Sequence, residues 1–148
     1  MDILCQVPMH LLELRIVSNS TNKVGSKNNS ISILMSENAS ISMVEEATLD
    51  YTLGDNASAL TKLNQVIEKD PICFEAWHAL TEVYFSVRDL GRALESAEKA
   101  YELRPKDVHI NTSLSRIWME KGDKATAEKF GAEARVLGWK TELEETDS

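Results

Sequence analysis

The feature that most restricts this chain is a period of 34 residues running from about residue 40 to residue 141. Set against itself at that offset, the sequence brings Ala59, Ala93 and Ala127 into register, and likewise Asp55, Asp89 and Asp123. Leu49, Val83 and Ile117 match, as do Val66, Ala100 and Ala134, and Tyr51, Phe85 and Met119 agree in character. Pro71 and Pro105 coincide, with Trp139 in the third place. Three copies result, spanning about 40–73, 74–107 and 108–141. A unit this short cannot bury an apolar face alone, so the copies have to stack on one another.

Each copy reads as two helices. In the central copy Phe74, Trp77, Leu80, Tyr84 and Val87 follow steps of 3, 3, 4 and 3 residues, one face of an α-helix. Asp89 marks a break and suits a helix cap or turn. Ala93, Leu94, Ala97, Ala100, Tyr101 and Leu103 form a second apolar stripe, which Pro105 ends because proline cannot continue a helix. The small side chains at Ala93, Ala97 and Ala100 let the two helices of a hairpin come close. Trp77, Leu80 and Tyr84 fill the space between neighbouring copies. Arg88 holds the hairpin-turn place that glycine takes in the other copies, at Gly54 and Gly122. If that place needs a positive φ, Arg88 is mildly strained.

The central copy resembles the tetratricopeptide repeat, with Trp77, Leu80, Tyr84, Ala93, Ala97 and Pro105 at the signature positions of a 34-residue unit. Thr81 stands where that family has a small Gly, and Ala97 where it has Phe. The first copy keeps Ala47, Gly54-Asp55, Ala59, Leu63 and Pro71, but has Met43, Glu46 and Asp50 where Trp, Leu and Tyr are usual. The third keeps Leu114, Gly122-Asp123, Ala127 and Ala134, with Ser115 and Trp118 as variants, and lacks the closing proline. The resemblance implies an all-α fold of three helix-turn-helix hairpins, stacked as a short right-handed α-solenoid with a concave groove. It also implies that the groove holds a peptide segment or helix of another protein, without catalysis.

By the register of that family, the first helix of each hairpin faces the groove. The expected lining is Val44, Glu45, Thr48 and Tyr51, then Glu75, His78, Glu82 and Phe85, then His109, Thr112, Arg116 and Met119. Tyr51, Phe85 and Met119 form an apolar line beside Glu45, Glu75 and Glu82, with Arg116 as the single cation. A ligand with apolar anchors and a basic element is the expectation, and a free acidic tail is not. The co-chaperone subtype that grips acidic carboxyl termini needs cations and amides where this chain has Val44, Thr48, Ala79, His109 and Ser113. The partner is therefore a protein or peptide held by an adaptor or scaffold. The alternatives are a small dedicated chaperone for an aggregation-prone client and a structural subunit docking into a larger assembly.

Composition narrows the field further. Sixteen Lys and Arg stand against 24 Asp and Glu, a formal net charge of -8. That balance argues against nucleic acid, whose phosphates need a basic face. The two cysteines, Cys5 and Cys73, imply no disulfide framework and fit a reducing, cytoplasmic compartment. No apolar run is long enough for a membrane span. No phosphate loop, dinucleotide fingerprint, nucleophile elbow or zinc-protease helix occurs, so neither an enzyme nor a cofactor is expected. His78 and His109 are expected to approach each other in the groove, as polar residues and not as a metal site.

The flanks differ from the repeats. Residues 1–39 carry three acids and three bases and are expected to be a poorly ordered extension. Residues 3–17 fit a short strand or, after Pro8, a helix, and residues 18–30 are rich in Ser, Asn and Thr, as a flexible linker is. Met35 opens a stretch that reads like an amino terminus, so the working protein is expected to start at Met35 or Met43. Residues 140–148 read as an acidic tail. Phe130, Leu137 and Trp139 then lie under thin cover, to be closed by the tail, a partner, or self-association through the last repeat.

Overall fold

A computed structural model describes residues 26–147 of the chain. The expected strand or helix at residues 3–17, with Cys5 and His10, and most of the Ser/Asn-rich linker lie outside the described residues.

Among the described residues six helices follow one another: α1 Ser26–Thr52, α2 Asn56–Lys69, α3 Phe74–Ser86, α4 Leu90–Leu103, α5 Val108–Lys121 and α6 Lys124–Thr146. The turns between them are two to four residues long, so successive helices run antiparallel. The contacts pair α1 with α2, α3 with α4 and α5 with α6, and stack α2 on α3 and α4 on α5. The first helices of the hairpins also touch one another, α1 with α3 and α3 with α5. The architecture is three helical hairpins in a row, as the period requires.

Each repeat closes its hairpin with the same two devices. Asp55, Asp89 and Asp123 precede the second helices, and their carboxylates accept from the backbone N–H of Ser58, Arg92 and Thr126 at 3.0, 3.1 and 3.0 Å. That satisfies one of the donors a helix start leaves unpaired. Before it comes a left-handed residue: Gly54 and Gly122 at φ 89°, and Arg88 at φ 64°. The turn in the central copy therefore has the geometry of its neighbours, and Arg88 takes it up at a cost that glycine avoids.

The core follows the 34-residue register. Ala59, Ala93 and Ala127 are fully buried, as are Leu63, Ala97, Ala47, Leu80 and Ile110. Small residues such as Ala59, Ala93 and Ala97 and larger ones such as Leu80, Val83 and Ile117 are buried together in one continuous core. Phe130 is half-buried, edge-on to Tyr101 with ring centroids 5.6 Å apart.

Both ends of the described region differ from the expectation. Ser26–Ala39, read as part of a poorly ordered extension, is the first half of α1, and Met35 lies inside that helix. The polar residues there are weak helix formers, but neither Gly nor Pro falls between Gly25 and Gly54 to break a helix that the buried Val44 and Ala47 anchor. Residues 30–39 add little core, none of them being buried. Residues 140–146, read as an acidic tail, continue α6 and do not fold back over Trp139, which is 64% exposed.

Candidate functional site

The first helices of hairpins one and two form a cleft of about 300 Å³. Its walls are Val44, Thr48 and Tyr51 from α1 and Phe74, Glu75, His78, Ala79 and Glu82 from α3. Thr48 and Tyr51 share a side of α1 with Val44 because they stand four and seven residues beyond it. Glu75, His78, Ala79 and Glu82 keep the same spacing on α3. Of the residues expected in the groove, this cleft brings together Val44, Thr48, Tyr51, Glu75, His78 and Glu82. Val44 is buried and forms wall more than contact surface. Glu45 is exposed on α1 outside the lining.

The third repeat does not extend this cleft. Thr112 and Arg116 line a separate depression of about 300 Å³ against α6, with Val108, Ser115, Gly131, Ala134 and Arg135. Met119 is half exposed and lines neither. Phe85 is half-buried beneath the guanidinium of Arg116, whose central carbon stands 4.4 Å from the ring centroid. The expected line of Tyr51, Phe85 and Met119 is therefore interrupted by a side chain of the next repeat.

The acids of the groove are already engaged. Arg116 reaches Glu82 at 3.2 Å, and the other oxygen of Glu82 accepts from the hydroxyl of Ser113 at 2.6 Å. Arg104 pairs with Glu75 at 2.8 Å and lies 4.3 Å over the ring of Phe74. Two clasps of the same make hold α3: Phe74–Glu75–Arg104 ties it to the end of its own hairpin partner α4, and Phe85–Glu82–Arg116 ties it to α5 of the next repeat. The sequence places Arg116 in the groove but gives no sign that it is spent on Glu82. Arg104 was not among the expected residues; it stands just after the second helix of the same repeat as Glu75. Glu75 and Glu82, two of the three acids expected to draw a basic ligand, each have a guanidinium beside them.

His78 and His109 do meet, with ring centroids 6.2 Å apart, and Phe74 stacks on His78 at 5.9 Å. Burial pushes the His78 imidazole below its ordinary range; Glu82, Asp107 and Glu75 pull the other way, and His109 adds to the depression. Cys73 is buried, and its thiol is pushed up by that burial, which keeps it protonated and unreactive. Among the described residues no group of three or more His, Cys, Asp or Glu is placed to hold a metal ion, and no helix is long and apolar enough to cross a membrane.

The family model of the tetratricopeptide repeat matches residues 44–108 and 78–140. The chain belongs to the tetratricopeptide repeat family. Members are generally non-catalytic and serve as surfaces for other proteins. The mouse protein O-mannosyl-transferase TMTC1 is 28% identical over 71 residues, which are 48% of this chain and 7% of that protein, so the likeness is confined to a small part of it. Among solved structures, MamA superposes with a TM-score of 0.66 at 18% identity, over 81% of this chain and 73% of that one. A chain of the CopN-Scc3 complex superposes with a TM-score of 0.60 at 20% identity, over 64% of this chain and 56% of that one. At such identities the likeness is one of fold, and the fold is the tetratricopeptide α-solenoid.

Proposed function

We propose that this tetratricopeptide chain is a non-catalytic adaptor that holds an apolar segment of a partner protein against the cleft between α1 and α3. The observation that carries the reading is the cleft itself: Tyr51, Ala79 and the aliphatic part of Thr48 face an open apolar space, while Glu75 and Glu82 are held by Arg104 and Arg116. A partner side chain seated there loses water without meeting an unpaired charge, the condition under which a few anchors dominate affinity. The basic element expected of the ligand is not needed, because only Glu45 at the rim is left to favour it. Cys73 as a free, buried thiol suits a reducing cytoplasmic setting.

The test is site-specific photo-crosslinking in cells. A crosslinking side chain at Thr48, on the rim of the cleft, is compared with one at Glu98, on the exposed side of α4. Capture of the same protein at Thr48 but not at Glu98, and its loss when Ala79→Trp fills the cleft, is the expected result. Equal capture at both positions, or capture that survives Ala79→Trp in a folded chain, removes the cleft from consideration.

A further inference from the structure

We infer that this chain stacks head to tail on a second copy of itself, the far half of α6 in one copy lying along the first half of α1 in the next. The inference does not depend on the cleft. It starts from helix lengths. α1 has 27 residues against 14 in α2, and α6 has 23 against 14 in α5. At about 1.5 Å per residue, α1 overhangs its hairpin by about 20 Å and α6 by about 13 Å. Each overhang lies at the end of the helix away from its short hairpin turn. Six antiparallel passes bring the start of α1 and the end of α6 to the same edge of the solenoid, the edge that carries the turns before α3 and α5.

Both overhangs expose apolar side chains at helical spacing. On α1, Ile31, Leu34 and Met35 are 55%, 57% and 67% exposed; on α6, Val136, Trp139 and Leu143 are 57%, 64% and 66% exposed. Steps of three and four residues put each set on one side of its helix. A solvated helix end does not need a tryptophan and two aliphatic residues in one stripe.

The fold already contains the step that covers such a stripe. Inside the chain, the second helix of each hairpin packs on the first helix of the next, α2 on α3 and α4 on α5. α6 is a second helix with no successor among the described residues, and α1 is a first helix with no predecessor among them. Repeating the internal step from α6 therefore leads to the α1 of another copy. Because the two overhangs share an edge, that step sets them side by side and antiparallel, the end of α6 next to the start of α1.

Charge agrees with this pairing. Residues 138–147 carry Lys140 against Glu142, Glu144, Glu145 and Asp147, whereas the α1 overhang, residues 26–38, carries Lys27 and Glu37 and is neutral. The start of α1 is also the positive end of its helix dipole. A symmetric pair of α6 helices, by contrast, has its twofold axis near Trp139 and Leu143 and gathers the acids of both copies around it, which is unfavourable. The head-to-tail contact is heterologous and does not close on itself unless the rotation per step forms a ring, so it builds linear arrays.

The experiment uses the full chain, with Leu34→Asp to disable the α1 surface and Trp139→Asp to disable the α6 surface. Both side chains are mainly in solvent, so each variant keeps the wild-type circular dichroism and melting cooperativity. Mass is measured by sedimentation equilibrium over a rising concentration series. The wild type is expected to grow past a dimer, and each variant alone to stay monomeric. An equal mixture of the two variants forms a dimer and nothing larger, because one working surface of each kind remains. A wild type that is monomeric throughout overturns the inference, including the case in which residues 1–25 of the same chain cover α1. Dimers of Leu34→Asp alone, with none gained on mixing, overturn it in favour of a symmetric α6 pair.

Discussion

Asn111 takes in the third repeat the place that Trp77 holds in the second, 34 residues earlier, and the two make the same hydrogen bond. The indole Nε1 of Trp77 donates to the carbonyl of Pro71 at 2.8 Å, and the amide Nδ2 of Asn111 donates to the carbonyl of Pro105 at 2.9 Å. Asn111 adds a second bond to the carbonyl of Asp107 at 2.8 Å. Both residues thereby fix the chain where it leaves one repeat and enters the next. Asn111 is fully buried, and Trp77 is half-buried.

The cost of removing each follows from burial. Asn111→Ala leaves the carbonyl of Pro105 short of its donor, while that of Asp107 keeps the backbone N–H of residue 111, at about 1–3 kcal/mol. Trp77→Phe keeps most of the apolar body and loses one partly solvated bond, at about 0.5–1.5 kcal/mol. Urea midpoints for the two variants are expected in that order. A midpoint for Asn111→Ala equal to the wild type shows that water replaces the amide.

Ala93 and Ala127 have no exposed surface and lie on the second helices of hairpins two and three. Leucine at either place has to push the paired helix outward, at about 1–3 kcal/mol each. The two sites lie in different hairpins, so the double variant is expected to add. Urea denaturation that finds no change in either single variant means that the packing there is loose and the register argument fails.

The fold was legible because a repeat states its core several times. Ala59, Ala93 and Ala127, and the aspartate caps, are visible three times each, and a weak copy borrows its register from a strong one. The ends were not legible by that means. Residues 26–39 and 140–146 have no repeated counterpart, and their polar composition does not reveal that a helix anchored further along runs through them. At the candidate site, register told which side of each first helix to look at, and Thr48, Tyr51 and His78 line the cleft there. It did not tell how long side chains are spent. Arg116 reaches across one repeat to Glu82, and Arg104 reaches Glu75 within its own repeat, because a flexible guanidinium stem takes the partner that is near in space.

Arg88 is left-handed at φ 64° and pairs with Glu120 at 2.8 Å on the surface. Glycine relieves the backbone cost but lengthens the list of unfolded conformations, and the exposed ion pair contributes only about 0–1 kcal/mol. The expected balance for Arg88→Gly is between neutral and about 1 kcal/mol stabilising, whereas Gly122→Val, forced into the same region at φ 89°, is expected to destabilise by at least about 1 kcal/mol. Thermal melts of the two variants side by side decide it. A clear loss in Arg88→Gly assigns to the Glu120 pair more than an exposed pair normally carries.

The clasp of Phe85, Arg116 and Glu82 should behave as one unit. Arg116→Ala removes a ring contact and a paired charge at once, and Glu82→Gln keeps the bond to Ser113 while weakening the ion pair. A cycle of Phe85→Leu and Arg116→Ala is expected to show a coupling of about 0.5–1 kcal/mol, the range of a partly exposed cation over a ring. Additive effects in chemical denaturation mean that the guanidinium rests on Phe85 without holding it.

Acid is expected to weaken the fold in two stages, and His78 sets the first. Its imidazole is pushed below the ordinary 6.5 by burial, with Phe74 and His109 stacked near it and Glu82, Asp107 and Glu75 only partly offsetting the shift. Above that ordinary value the folded and unfolded chains both hold it neutral, and stability does not depend on it. As pH falls through about 6.5 the unfolded chain takes up the proton first, so stability declines with falling pH until the folded imidazole also titrates. The second stage belongs to the caps. Asp55 and Asp123 are held below the ordinary 3.8 by hydrogen bonds from Ser58 and Thr126, so their contribution is complete above that value and is lost as pH falls through the depressed one. His78→Gln keeps a polar side chain without a titrating ring. Urea midpoints measured from about pH 7 to about pH 5 are expected to slope in the wild type and lie flat in His78→Gln, with the steeper loss below about pH 4 unchanged in both. The same slope in both proteins would assign the first stage to a group other than His78.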